Sequence, residues 1–266
     1  MKKRIIPIFT YKNNILVKSI KYSNYRNVNS IVPMIKLFNK RNIDEIIFLN
    51  LEDNINFKFL ETFVNEIDYP ITYGGGINDI DTMKKIFNIG FDKICLNSLV
   101  YNNLSIIIDA KQIFGRQSIT INIDVKKNLI DNEYYCYYNN GKYNTNIKLE
   151  DHINNIIKND IAGEIIISNI DNDGTFNGFD TNLYKLTEKY NIRILANCGG
   201  NYDEKNIIDI VNINNIKGLC FSSLFLFKQY TPNDIKEILF KNNKKCINYF
   251  SNKNQVISSS GNLGSL

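Results

Sequence analysis

The chain has 266 residues, a formal net charge of +5, and a composition that is 44% hydrophobic and 22% charged. That balance excludes a disordered or collagen-like chain, and the basic surplus is too diffuse to mark a nucleic-acid binder. At this length folding buries roughly 75% of the unfolded surface, so a large core needs no staples.

β-Branched runs recur between amphipathic segments. In chain order the predicted strands cover residues 4–10, 45–50, 70–74, 93–98, 118–124, 164–169, 192–197 and 217–223. Between them lie helix-period stretches such as 79–89, 147–159 and 203–213, with apolar residues three and four apart. Eight strand–helix units without a long structureless linker predict an α/β protein with a single closed (β/α)8 barrel over residues 1–250. Alternation breaks at 126–144, where the tyrosine-rich run 134–138 and the turn at Asn140-Gly141 predict a hairpin inserted after the fifth strand. The Ser- and Gly-containing stretch 251–266 reads as a flexible tail. Abundant Asn, Ile and Lys blur propensity arguments, because Asn occurs even inside predicted helices.

Cys95, Cys136, Cys198, Cys220 and Cys246 include no C-x-x-C pair. An odd number in a chain this long points to a reducing cytoplasm rather than a disulfide framework. Lys2, Lys3 and Arg4 are not followed by the apolar run of a signal peptide. The longest apolar stretch, around 218–227, is broken by Ser222 and Ser223, and a spanning helix needs about 20 apolar residues. The expectation is a cytoplasmic protein with no membrane or nucleic-acid partner.

The sequence also repeats itself. Gly74-Gly75-Gly76-Ile77-Asn78-Asp79 leads to a strand ending at Asn97-Ser98, and Cys198-Gly199-Gly200-Asn201-Tyr202-Asp203 leads to one ending at Ser222-Ser223. Glu45 and Glu164, Gly76 and Gly200, and Ser98 and Ser223 are offset by 119, 124 and 125 residues. A near-constant offset of half the chain indicates duplication of a four-strand half-barrel, with sites that come in pairs.

The first such pair is phosphate-binding: Gly75, Gly76, Asn97 and Ser98 in one half, Gly199, Gly200, Ser222 and Ser223 in the other. Glycine at a βα turn lets backbone N–H groups approach an anion, and the helix N-terminus adds partial positive charge. The plainer reading is tight turns alone. Two sites across one mouth predict a substrate with a phosphate at each end. At the other end of the barrel Arg4, Glu45, Lys93 and Glu164 each begin a strand. Pointing inward they would form a neutral ring of ion pairs, either a structural plug or a gate for a small molecule. Asp124, at the end of strand five, faces the mouth as an acid/base candidate, with a loop-capping carboxylate as the alternative. Asp171 and Asp173 follow strand six. The repeat places Thr10 opposite Asp124, and Thr10 cannot act as a carboxylate base. His152 has no second histidine, so no metal site is expected. Cys198 lacks an activating base and reads as a small packed residue, and the tyrosines at 134–138 fit hairpin alternation better than base stacking.

Taken together, Arg4-Ile5-Ile6-Pro7, Val17-Lys18, Asp44-Glu45-Ile46-Ile47-Phe48-Leu49, Gly74-Gly75-Gly76-Ile77, Asp92-Lys93, Asn97, Asp124, Gly163-Glu164-Ile165 and Ile170-Asp171-Asn172-Asp173-Gly174-Thr175 resemble HisF, the cyclase subunit of imidazole glycerol phosphate synthase. The resemblance spans residues 2–242. It implies a duplicated (β/α)8 barrel, a HisH-like glutaminase docked on the barrel bottom, and ammonia passing through the barrel. The family's gate maps onto Arg4, Glu45, Lys93 and Glu164. Its catalytic aspartate pair maps onto Asp124 and, at strand one, onto Thr10. Asn50 replaces another family aspartate, and a Gly-Asp of the first loop is missing at Val28-Asn29-Ser30. Lys18, Ser168, Asp173 and the phosphate loops remain.

The pattern is similar to second-copy HisF-like proteins of glycan loci. It implies ammonia delivery to a different electrophile, with a sugar amidotransferase as a further partner and a small phosphorylated or nucleotide-linked substrate. The alternatives are a working histidine-pathway cyclase and a scaffold that only activates a glutaminase. No cofactor is expected.

Overall fold

The computed structural model describes residues 2–247; the whole expected tail at 251–266, and residues 1 and 248–250 of the expected domain, lie outside them. The first half runs β1 (Arg4–Lys12), β2 (Ile15–Ile20), β3 (Ser23–Ser30), α1 (Ile31–Asn39), β4 (Ile46–Asn50), α2 (Phe57–Val64), β5 (Ile71–Gly74), α3 (Ile80–Ile89), β6 (Lys93–Leu96), α4 (Ser98–Asn102) and α5 (Leu104–Phe114). The second runs β7 (Ile119–Lys127), β8 (Tyr134–Tyr138), β9 (Tyr143–Lys148), α6 (Leu149–Asn159), β10 (Glu164–Asn169), α7 (Thr181–Thr187), β11 (Arg193–Asn197), α8 (Glu204–Asn212), β12 (Ile216–Phe221), α9 (Ser223–Phe227) and α10 (Pro232–Lys241). Strand for strand and helix for helix, the two halves have the same order. The duplication read from the glycine motifs therefore extends over the whole barrel.

Strands β1, β4, β5, β6, β7, β10, β11 and β12 lie side by side in parallel, and β12 pairs with β1 to close the barrel. All eight predicted strands are present, most with ends shifted by one to three residues. The predicted hairpin is β8–β9, antiparallel to the end of β7. A second hairpin, β2–β3, follows β1 and has no counterpart among the predicted elements. It turns at Asn13-Asn14 and Lys21-Tyr22, all four with positive φ, the backbone of a two-residue hairpin turn. Lys-Tyr is a poor composition for that turn, and β3 is almost wholly exposed.

Period-two alternation divides each barrel strand between two environments. Ile5, Phe9, Ile46, Phe48, Ile165 and Ile167 join the large core beneath the helices. Ile6, Ile8, Ile47, Cys95, Ile166, Leu195 and Cys220 form a separate apolar cluster inside the barrel. Helices α3 and α8 start at equivalent caps, with Asp79 and Asp203 accepting backbone N–H bonds from Thr82 and Asn206. A fully buried pair, Lys236–Asp44 at 2.7 Å, ties α10 to the bottom of β1, where Asp44 also accepts the Ile5 N–H.

Candidate functional site

The bottom of the barrel carries the four strand-initiating charges. Arg4 Nη1 meets Glu45 Oε2 at 2.5 Å and its other nitrogen meets Glu164. Lys93 Nζ lies 2.9 Å from Glu45 and 2.8 Å from Glu164. The ring is closed and alternates in sign, with Thr72 Oγ1 donating to Glu45 at 2.9 Å. Burial opposes ionisation of Glu164, but Arg4 and Lys93 outweigh it and hold the carboxyl below its usual range. The cationic side chains keep 17% and 19% exposure and the carboxylates 3% and 6%, so the ring faces solvent on one side and the apolar interior on the other. Thr120, level with Cys95 and Glu164, has a buried hydroxyl without a hydrogen-bond partner.

Above the apolar layer the barrel opens into a cavity of about 180 Å³. Its floor is Ile8, Leu49, Cys95 and Cys220, and its walls include Asp124, Thr10, Lys18, Asp173 and both glycine pairs. The mouth and the ring thus lie on opposite sides of one apolar layer.

Asp124 accepts hydrogen bonds from Tyr22 Oη and Asn122 Nδ2, both at 2.8 Å, and from Asn97 Nδ2 at 3.2 Å. Burial pushes its carboxyl up to about 6, against the pull of the Tyr22 and Asn122 donors and with help from Asp173. A carboxyl poised there can both accept and return a proton near neutral pH. Behind it, Ser168 Oγ donates to Asn122 and accepts from Asn197, which fixes the Asn122 amide. Thr10 lines the cavity, but its hydroxyl donates to the Val17 carbonyl at 2.6 Å. It serves the β1–β2 pairing.

Tyr22 is the residue that sequence reasoning missed. It reaches Asp124 from the tip of the β2–β3 hairpin, with a φ of 56°, a conformation unfavourable for a bulky side chain. Asp173 anchors that hairpin: it pairs with Lys18, accepts from Ser19 Oγ at 2.6 Å, and its carbonyl accepts the Lys21 N–H. Lys18 and Asp173 are therefore brought together as expected mouth residues, while Asp171 accepts the Lys127 N–H and supports the end of β7. The β8–β9 hairpin also leans in, because the Asn139 N–H donates to Ser98 Oγ.

Both glycine pairs sit where the repeat placed them. A side chain on Gly75 would meet the Asn50 carbonyl, and one on Gly199 the Gly178 carbonyl; both have positive φ. Asn97 and Ser222 precede α4 and α9 with matching backbones, φ −126° and −128°, ψ −77° and −76°. Neither helix start has a side-chain cap. Cys198 is buried with φ 71°, and burial pushes its thiol up, so it is no nucleophile. His152 is buried on α6 and stacks on Tyr101. Among the described residues no group of His, Cys, Asp and Glu could hold a metal, and no helix is long and apolar enough to cross a membrane.

The histidine biosynthesis protein family matches residues 4–231. A Campylobacter jejuni protein provisionally named imidazole glycerol phosphate synthase subunit hisF2 is 33% identical over 244 residues, covering 90% of this chain and 96% of that protein. The chain belongs to the HisF family. Imidazole glycerol phosphate synthase subunit HisF of Staphylococcus saprophyticus is 31% identical over 242 residues, covering 89% of this chain and 95% of that protein. A Leptospira borgpetersenii protein, provisionally named for the same subunit, is 32% identical over 236 residues, covering 86% and 91%. In this HisF-family barrel the ring and the glycine loops sit at opposite ends, and Thr10 stands across the mouth from Asp124.

Proposed function

We propose that this HisF-type synthase subunit receives ammonia from a HisH-like glutaminase at the barrel bottom and delivers it at the mouth to an N-acetyl sugar. The product is an acetamidino sugar for surface polysaccharide or nonulosonic acid assembly, made with a sugar amidotransferase that draws on a nucleoside triphosphate to activate the amide oxygen, which leaves as a phosphate or nucleotide ester when the nitrogen adds. The observation that carries the reading is the contrast between the two barrel ends. The bottom keeps a closed ring of Arg4, Glu45, Lys93 and Glu164, whereas the mouth has Thr10 bonded to Val17 where a second carboxylate is needed. A positioned acid or base contributes about 10²–10⁴-fold to a rate, so ring-opening and cyclisation at Asp124 alone would be slow by that factor.

Opening of the ring admits one small neutral molecule at a time. The unpartnered Thr120 hydroxyl offers it a hydrogen bond inside the lumen. Asp124, titrating near neutrality, takes a proton from the attacking nitrogen. The numeral in the hisF2 name supports a diverged second copy.

A second reading, histidine-pathway cyclase, draws on Lys18, Asp124 and the glycine pairs. Incubating the purified protein with ammonium and the bisphosphorylated histidine-pathway precursor separates the two. The proposal expects no consumption by the natural protein and measurable consumption by Thr10→Asp; turnover already present in the natural protein refutes it. A scaffold role predicts that substitutions inside the barrel leave glutaminase activation and ammonia delivery untouched.

A further inference from the structure

The two pseudo-equivalent loops at the mouth share a backbone but not an electrostatic character. Of the charged residues lining the cavity, four are carboxylates, Glu52, Asp53, Asp124 and Asp173, and one is a lysine, Lys18, already paired with Asp173. Glu52 and Asp53 both belong to the loop that packs on the first glycine pair, where the Asp53 carbonyl abuts Gly76. Asp53 is exposed and Glu52 half-buried; Glu52 Oε2 accepts the Asn13 N–H at 2.8 Å, a bond that leaves its negative charge at that side of the mouth.

The donors differ as well. In the first half Asn97 is committed to Asp124 and to the Asn122 carbonyl, and Ser98 accepts the Asn139 N–H. In the second half Ser222, the backbone counterpart of Asn97, has a buried hydroxyl with no partner. The loop over that glycine pair carries Phe176 on the cavity wall, and Lys228 Nζ sits 5.0 Å from its ring centre. A donor without a partner and a lysine behind the cavity wall lie on one side, two carboxylates on the other.

We propose that the mouth takes a sugar with a single terminal phosphate, the phosphate held at Gly199, Gly200 and Ser222 and an uncharged hydroxyl- or amide-bearing end placed against Gly75, Gly76 and Glu52. This deepens the proposed function and rests on it only in treating the mouth as the substrate end. A second phosphate beside Glu52 and Asp53 meets repulsion without a cavity-lining cation to offset it, which amounts to about tenfold in affinity.

Calorimetric titration with fructose 6-phosphate and fructose 1,6-bisphosphate at fixed ionic strength tests this. The monophosphate is expected to bind at least about tenfold more tightly. In the double variant Glu52→Gln, Asp53→Asn the bisphosphate gains about tenfold relative to the monophosphate, and Ser222→Ala weakens the monophosphate. Equal or tighter bisphosphate binding by the natural protein overturns the proposal, as does an unchanged ratio in the double variant or unchanged binding in Ser222→Ala. If neither sugar phosphate nor inorganic phosphate binds, the proposal also fails. The ammonia route is judged separately, by glutaminase coupling.

Discussion

Replacing Tyr22 by Phe removes one of three donors from a buried carboxylate and leaves the ring that fills the hairpin tip. The lost bond spans 2.8 Å from Tyr22 Oη to Asp124 Oδ1; Asn122 and Asn97 remain. A hydrogen bond to a charged group is worth about 1.5–3 kcal/mol, and 1.36 kcal/mol corresponds to one pKa unit. The Tyr22 donor pulls the Asp124 carboxyl down, so its loss moves the midpoint upward from about 6, to between about 7 and 8. Carboxyl carbon NMR over a pH series reads this directly, with Asp124→Asn assigning the signal. Where an acid/base rate can be followed, the same displacement appears in its pH profile. A midpoint that stays near 6 or falls means that Tyr22 does not hold the ionised form of Asp124, and the account of the mouth is wrong.

Asp124 also makes stability depend on pH. Its folded midpoint of about 6 exceeds the ordinary 3.8, so between those values the folded chain keeps a proton that the unfolded chain has lost. Stability therefore falls as pH rises through this window. Asp124→Asn abolishes the fall, and urea melts at pH 4 and pH 8 should move in the variant's favour by about 2–3 kcal/mol; parallel behaviour of variant and natural protein contradicts this. His152 acts in the opposite sense, since burial pushes it down from 6.5 to about 4 and its contribution is lost as pH falls through that range. It is the only histidine, so a single imidazole NMR signal with a midpoint near 6.5 would rule out its burial. Thr120→Val should slow glutamine-dependent delivery several-fold and leave delivery from free ammonium at high pH unchanged; equal effects on both would remove Thr120 from the route.

Barrel order was legible because each inward strand is a short β-branched run followed by an amphipathic helix, a pattern that survives the Asn-rich composition. The ring was legible for the same reason: Arg4, Glu45, Lys93 and Glu164 stand at strand starts, and alternation fixes which way a strand's first residue points. Thr10 was legible through the repeat. The β2–β3 hairpin was not, because Lys21-Tyr22 carries no turn signature and β3 has no buried face. With the hairpin went Tyr22, whose contact with Asp124 spans 102 residues of chain. Positive φ at Tyr22 is held by Asp173 bonding to Lys18, Ser19 and the Lys21 N–H, a tertiary cause that no local pattern encodes. The difference between the two glycine loops needed the structure as well, since Asn97 and Ser222 differ in what their side chains are already bonded to.

The central claim is that ammonia enters through the ring at the strand starts, and glutaminase coupling measures it most directly. The purified protein is mixed with a HisH-type glutaminase, and complex formation and glutamine hydrolysis are followed for the natural chain and for Arg4→Met. The account predicts a stoichiometric complex that accelerates hydrolysis. In Arg4→Met, Glu45 and Glu164 are left to share Lys93, and the variant is expected to lose several kcal/mol at most of ring energy and to impair coupling while the barrel still folds by circular dichroism. No complex with the glutaminase, or a complex whose hydrolysis is indifferent to the ring, contradicts the claim.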